Sequence, residues 1–282
     1  RYYQLSILEA WTSPFAKVDL WFGGIYAHAL ETYHKLRASG VEFEAALREV
    51  VHLSLISSWN HDRDESGNRI PGTGAAASFD HETKSRETLI RTIIWYLDQF
   101  HDDPLRTYIT QQGDAAVELS FKFPVAGDIL FSGHLDRVVV DESGERFVHD
   151  QKTTKTTISP YFFKSYKPDT QFALYTFAGQ AIFNTPIKGV ILDGAQIAVG
   201  FSRFARAPIL FTEGELDEWY TDTIETISLT REHTAAGYFP MRRTSCGLYG
   251  GCPFRDVCSR PPSVRENFLK ADFIQGPGWD PA

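Results

Sequence analysis

Residues 128–154, DILFSGHLDRVVVDESGERFVHDQKTT, constrain the fold of this chain more than any other segment. Two β-prone runs flank Glu142-Ser143-Gly144, and the pattern reads as a hairpin. A three-residue loop with Gly144 in the left-handed position sets Asp141 against Glu145. Counting back from there sets Asp136 opposite Asp150. Directly opposed side chains share a face and lie ~5 Å apart. Lys152 shares that face and Gln151 points away, because side chains alternate along a strand. A two-residue Ser-Gly loop would instead shift the pairing by one and separate the aspartates. The first register gives the two acids a reason to be there.

Two carboxylates that close repel unless something positive lies between them. A divalent cation does this well, since Mg²⁺ takes one or two carboxylates plus waters and phosphate oxygens. A metal-bound water loses its proton more easily, and a bound phosphate becomes more electrophilic. Lys152 is placed to hold the water or to offset developing charge. The plainer alternative is a surface hairpin with an ordinary ion pair. The tight Asp-x-Lys, opposite a second Asp, favours a site.

The rest of the chain alternates between helical and strand patterns, and no internal repeat is present. Helices are expected over 24–39, 42–58 and 81–100. Between the last two, HDRDESGNRIPGTGAAASFD (61–80) is long for a simple connection and reads as a functional or mobile loop. Strands are expected over 115–123, along both arms of the hairpin, over 187–200 and at 208–211. A buried helix is expected over 170–183. Thr212 and Glu215 form a capping box that opens a helix running to about 236. This is a mixed α/β chain with an N-terminal helical part, 1–110, a core, 111–238, and a Cys-rich segment, 239–282, in one compact domain.

GHLDRVVV, then VHDQKTTK, then QFALY, resembles the PD-(D/E)xK nuclease superfamily, and most closely its RecB-like branch of phage and CRISPR-associated iron–sulfur exonucleases. The resemblance implies a restriction-endonuclease-like mixed sheet flanked by helices. It implies metal-binding roles for Asp136 and Asp150, a catalytic role for Lys152, and backbone positioning by Gln171 and Tyr175. These last two are four residues apart and share a helix face; Tyr175 is equally readable as a core residue. The branch carries a histidine on a helix opening G-x-x-x-H, here Gly24 to His28, which implies that His28 is a metal ligand. Imidazole suits Mn²⁺ better than Mg²⁺, so either ion is expected to support activity. Glu31, one turn on, is placed to orient His28 or to face solvent. Glu118 stands where the superfamily's early acid often falls.

The three cysteines, Cys246, Cys252 and Cys258, have C-x5-C-x5-C spacing. That resembles the C-terminal half of the iron–sulfur lock in the same branch, where a fourth cysteine near the N-terminus staples the chain ends together. A [4Fe–4S] cluster normally takes four thiolates. Here Ser13-Pro14 stands where a Cys-Pro is expected, so another ligand, a segment before Arg1, a Zn²⁺ site or no metal at all are the alternatives. The chain opens at Arg1 and holds one Met, Met241, which suggests a missing or processed start.

Net charge is −8, which argues against a protein held to nucleic acid by bulk charge alone. A local exception follows Lys152, where Lys155, Lys164 and Lys167 are interleaved with Tyr161, Phe162, Phe163 and Tyr166. These lysines suit phosphates, and the rings either stack on bases or fill the core. Arg242, Arg243, Arg255 and Arg260 form a second basic edge. No helix-turn-helix or finger pattern reads sequence in a groove. No apolar run approaches membrane-spanning length. The expectation is an intracellular, cytoplasmic, metal-dependent DNA nuclease, sequence-independent and acting from ends, serving recombination, repair or phage DNA processing. The rival is a non-catalytic nucleic-acid-binding or assembly module on the same fold.

Overall fold

A computed structural model of the chain describes residues 1–14, 18–62, 70, 73–77 and 81–276, with 248–250 described by backbone alone. In chain order a π-helical turn (Tyr3–Leu8) and β1 (Trp11–Thr12) come first. Next are α1 (Val18–Ala38), α2 (Phe43–Ser57), β2 (Trp59–Asn60), β3 (Ala75–Ala76) and α3 (Arg86–Gln99). β4 (Arg106–Thr107), β5 (Val117–Ala126), β6 (Ile129–Val140) and β7 (Arg146–Thr154) follow. Then come α4 (Pro160–Lys164), α5 (Thr170–Phe183), β8 (Gly189–Ile197), β9 (Ser202–Leu210) and α6 (Glu213–Ala235). The last segment holds 3-10 turns at Arg243–Gly250 and Pro262–Val264, α7 (Arg255–Ser259), α8 (Arg265–Asp272) and β10 (Ile274–Gln275). No described helix is long and apolar enough to cross a membrane.

The chain divides into two units, Val18–Trp219 and a smaller one formed by Arg1–Lys17 with Tyr220–Ala282. In the larger unit the described residues build a six-stranded mixed sheet in the order β4-β6-β7-β8-β9, with β5 also paired to β6. β7 and β8 are parallel and the other pairs antiparallel. A parallel pair needs a crossover, and α4 and α5 supply it between β7 and β8.

Each sheet face has its own layer. Leu89, Ile93, Tyr96 and Leu97 make a helical stripe on α3, and Ser85 caps that helix by accepting the Thr88 amide. This stripe packs with Phe22, Tyr26, Leu30 and Tyr33 of α1 against Ala195, Ile197 and Phe204 of the sheet. Burying each such side chain contributes about 1.5–3 kcal/mol. On the opposite face α5 lies close to β7. A Cβ at Gly179 would stand 3.0 Å from Ile187 and 3.6 Å from Val148, so a larger residue there would force the helix away. Phe123, Phe131, Phe177 and Trp219 continue this layer with ring centroids 5.8–6.4 Å apart.

Two elements run further than their local pattern predicts. α1 begins at Val18 and carries Gly23 and Gly24 inside the helix. A Cβ at Gly23 would meet Thr153 Oγ1 at 3.7 Å, an ordinary contact, and one at Gly24 would meet nothing within 4 Å, so the two glycines lie inside the helix and do not start it. β9 spans Ser202–Leu210 rather than 208–211, because Arg206 is satisfied by buried partners and can occupy a strand interior. The capping box holds: Thr212 N and Oγ1 donate to Glu215 Oε2, and Glu215 N donates to Thr212 Oγ1. Of the long loop expected over 61–80, residues 63–69, 71–72 and 78–80 lie outside the described residues. Ala75 and Ala76 pair antiparallel with Asn60 and Trp59.

In the smaller unit β1 pairs with β10, Trp11 against Gln275. Leu5 packs with Phe254, Val257 and Leu269, and Cys252 and Cys258 lie against the same cluster. Residues from both ends of the given sequence thus share one cluster.

Candidate active site

The hairpin has the register counted from its turn. Asp141 N donates to Glu145 O, and Asp141 Oδ1 accepts from the Ser143 and Glu145 amides and the Ser143 hydroxyl. Gly144 takes φ +85°, a conformation disfavoured for any residue with a Cβ. The β6–β7 ladder then runs from Val140↔Arg146 to Arg137↔His149, which leaves Asp136 and Asp150 as the next opposed pair.

The strands separate at that point. β7 continues along β8 as far as Thr154, while β6 before Arg137 pairs with β5. The aspartates therefore sit in the mouth of a fork, where a backbone amide is free to turn inward. Gln151 N–H donates to the Asp136 carboxylate. On the other strand, Lys152 Nζ lies 2.8 Å from Asp150 Oδ1 and 2.6 Å from Oδ2. The ammonium also stands 5.8 Å from the centre of the Phe172 ring.

Burial governs the charge state of the pair. Asp150 is 1% exposed, and its carboxyl is pushed up to about 7. Burial is the largest cause, Asp136 adds to it and the Lys152 ammonium opposes it. Asp136 is also raised, again by burial, against the pull of Lys152 and the Gln151 amide. A site that raises two carboxyls together lacks positive charge, and a divalent cation supplies it.

Gln171 and Tyr175 meet on α5, where Gln171 Nε2 donates to Tyr175 Oη at 2.9 Å. Asp169 caps the helix through the Gln171 and Phe172 amides. Tyr175 is half-buried, and its hydroxyl is held protonated by burial and by the charges of Asp136, Asp150 and Glu118. A proton donor is thus kept beside the fork.

Glu118 belongs to the same cluster. The β5–β6 ladder pairs Val117 with Arg137 and Leu119 with Leu135, so Glu118 stands across from Asp136. Its φ is +53° inside a strand. Such a conformation costs about 1–2 kcal/mol in a residue with a side chain. Partial burial and the carboxylates of Asp136 and Glu31 raise its carboxyl. On α1, Glu31 in turn sits 3.0 Å from His28 Nδ1 and 2.6 Å from Lys35 Nζ. His28 is half exposed, and His28, Asp136 and Asp150 are not drawn into one ligand set: among the described residues no three His, Cys, Asp or Glu side chains converge as a metal-binding group. Asp136 and Asp150 alone match what Mg²⁺ asks of a protein.

Behind the fork lies a buried polar network that the sequence reading missed. Asp193 Oδ2 accepts from Tyr96 Oη at 2.7 Å and from Arg206 Nε at 2.6 Å, and His149 Nε2 is 3.1 Å away. Arg206 also donates to both oxygens of Asp103 and lies 3.6 Å over the Phe100 ring. Arg137, next to Asp136, donates to Thr107 Oγ1 and Leu105 O and lies 3.2 Å from His34 Nε2 on α1. The signal was present in Asp193, a lone acid inside the apolar run VILDGAQIAV.

The lysine–aromatic stretch divides. Phe162 is buried and Tyr166 stacks on Phe172 at 5.3 Å, so these rings are core. Lys167 pairs with Glu215. Tyr161, at 81% exposure, and Lys164 face solvent, and the exposed Lys155 lies 3.1 Å from His81 Nε2.

Cys246, Cys252 and Cys258 are free and half-buried. The Cys252 amide donates to Cys246 O and the Arg255 amide to Cys252 O, which coils the segment on itself. Neither a fourth thiolate nor a converged donor set accompanies them among the described residues.

A family model described as the PD-(D/E)XK nuclease superfamily matches residues 1–259. The chain belongs to the PD-(D/E)XK nuclease superfamily. Its mixed sheet flanked by helices is the restriction-endonuclease-like fold expected for that family. A crystal structure of a candidate exonuclease from Eubacterium rectale is similar at 12% identity, over 92% of this chain and 81% of that one, with a TM-score of 0.47. No curated protein sequence matches the chain.

Proposed function

We propose that this member of the PD-(D/E)XK superfamily is a metal-dependent deoxyribonuclease of the RecB-like branch, acting without sequence preference and from DNA ends. One observation carries the reading: two opposed aspartates in the mouth of a strand fork, one of them paired to a lysine two residues on. Asp136 and Asp150 would hold Mg²⁺ or Mn²⁺, which when bound makes water a nucleophile at neutral pH and polarises a phosphodiester. His28 is proposed as a further ligand through its free ring nitrogen, with Glu31 orienting it. Lys152 moves from Asp150 to the attacking water or to a phosphate oxygen. Gln171 and Tyr175 hold the DNA backbone, with the protonated Tyr175 hydroxyl as donor. The exposed Lys155, Lys164 and Tyr161 support a nucleic-acid substrate despite the net charge of −8.

The cysteine segment takes no part in this chemistry. A structural iron–sulfur cluster or zinc is proposed for it on spacing alone, and elemental analysis of the purified chain decides between iron and zinc. Recombination, repair or phage DNA processing in a cytoplasm is the proposed setting.

The test is degradation of end-labelled linear DNA and of a closed circle with Mn²⁺ or Mg²⁺. Linear DNA should be consumed, the circle spared, and EDTA should stop the reaction. Asp150→Ala should abolish activity while the circular dichroism spectrum is kept. Activity surviving in that purified variant would overturn the assignment.

A further inference from the structure

The β8–β9 hairpin ends in a two-residue turn, Val199-Gly200, closed by the Ala198 amide donating to Phe201 O. Val199 is 62% exposed, Phe201 45%, and Trp95 of α3, the helix tied to the turn, 42%. The turn does not float. Arg91 of α3 donates from Nη1 to Val199 O and from Nη2 to Ala198 O, both at 2.7 Å. Thr92 Oγ1 and Ser202 Oγ are 2.9 Å apart. A hairpin tip is ordinarily a polar turn. This one presents large apolar groups on a fixed platform.

Each exposed ring carries a guanidinium. Arg91 lies 5.1 Å from the centre of Trp95, and Arg203 lies 5.8 Å from the centre of Phe201. Arg203 is exposed and in no ion pair among the described residues, whereas Arg91 spends both Nη atoms on the turn and has its Nε buried, so Arg203 is the charge that faces outward on a chain of net charge −8. Exposed rings beside an exposed cation fit a strand of unpaired nucleotides, whose bases stack on the rings while a phosphate meets Arg203. A duplex hides its base faces and can use only the charges. An apolar protein partner would leave the Arg203 guanidinium buried without an acid.

The Arg203 side of the hairpin is also in register with the site, while α3 flanks the hairpin from the other face of the sheet. Thr154 pairs with Gln196 and Gln196 with Arg203, so these three form one row across β7, β8 and β9. Lys152 lies two residues before Thr154 on the same face. Two strand spacings and two residue rises put the Arg203 backbone roughly 12 Å from that of Lys152. The outward Tyr161 is on α4, the helix whose Phe162 covers Gly194 of the next row, 3.1 Å from where a Cβ would stand.

Resting on the nuclease reading above, we propose that the tip of the β8–β9 hairpin and the adjoining face of α3 form a binding surface for single-stranded nucleic acid, with Trp95 and Phe201 as stacking rings, Arg203 as the phosphate contact and Arg91 holding the turn in place.

The experiment measures fluorescence anisotropy of a labelled 20-nucleotide oligothymidylate and a 20-base-pair duplex with the full chain in EDTA, where no cleavage occurs. Trp95→Ala combined with Arg203→Glu should weaken single-strand binding tenfold or more and duplex binding by a smaller factor. Val199→Glu, an exposed change on the turn itself, should weaken the single strand in the same order and guards against a folding defect in the first variant. Trp95→Phe with Arg203→Lys should restore the affinity. A loss below tenfold in both folded variants, or an equal loss for duplex, overturns the surface. Cleavage by the wild-type chain with Mn²⁺ is scored separately. Binding without cleavage would sink the nuclease reading and leave the surface standing. Cleavage with unaltered binding by the variants would do the reverse.

Discussion

Lys152 and Asp150 lie two positions apart on β7, and the ammonium contacts both carboxylate oxygens at 2.6 and 2.8 Å. Residues i and i+2 of a strand point the same way, so this contact follows from the strand alone. What the fork adds is Asp136 beside it. The ammonium supplies positive charge beside two acids that would otherwise repel each other unopposed.

Lys152→Met should lower the initial rate of DNA degradation by roughly 10²-fold or more, the usual loss when one group serving transition-state charge is removed. Rates are to be read with saturating Mn²⁺, so that weaker metal binding does not mimic the effect. A rate within threefold of wild type would remove Lys152 from the reaction.

Asp150→Asn should stabilise the metal-free protein. The Asp150 carboxyl is pushed up to about 7, chiefly by burial. A folded-state value above the unfolded value of about 3.9 means that ionising Asp150 costs stability. The cost begins above pH ~4 and is complete above pH ~7. Urea unfolding in EDTA should therefore show a gain on the order of 2 kcal/mol at pH 8, shrinking as pH falls toward about 4. A constant difference across that range would contradict the charge state argued for the fork.

Asp193 has the opposite sign. Burial would raise its carboxyl, but His149, Arg206 and Tyr96 outweigh burial and hold it below the usual range. Its contribution is present above the unfolded value of about 3.9 and is lost as pH falls through the lower folded value. Asp193→Ala should cost about 3–5 kcal/mol at pH 7, because it leaves Arg206 and His149 without their buried partner. Denaturant curves at pH 7 and near pH 3 should show the gap narrowing in acid.

Gly144→Ala tests the turn. A Cβ there meets nothing within 4 Å, so only the φ of +85° penalises it. The expected loss is about 1–2 kcal/mol of stability with nuclease activity per folded molecule retained. A larger loss would mean that the register depends on more than the turn.

Local rules carried the hairpin. The alternation of GHLDRVVV and RFVHDQKTT, with Gly144 between them, set the pairing by counting, and the observed ladder has that register. The Gln171–Tyr175 contact follows from helical spacing, and the observed bond joins those two. Other features gave a misleading local signal. The helix expected from Gly24 begins at Val18 and carries Gly23 and Gly24 in its interior. The strand expected at 208–211 spans Ser202–Leu210, with Arg203 exposed at a sheet edge and Arg206 neutralised inside. A side chain's partner 100 residues away leaves no periodic trace.

The sequence by itself determined the opposed aspartates, the lysine beside them and the helix that carries Gln171 and Tyr175, because strand and helix periods are short-range properties of the backbone. Tertiary structure alone decided the rest. The divergence of β6 from β7 opens the fork, and Glu118 is turned toward Asp136 by a strained backbone. The buried chain from His149 through Asp193 to Arg206 and Asp103, and the contacts of Arg137 with Thr107, Leu105 and His34, form only once α1, α3 and the sheet are packed. Each of these depends on which surfaces exclude water together, and that is settled by the whole fold.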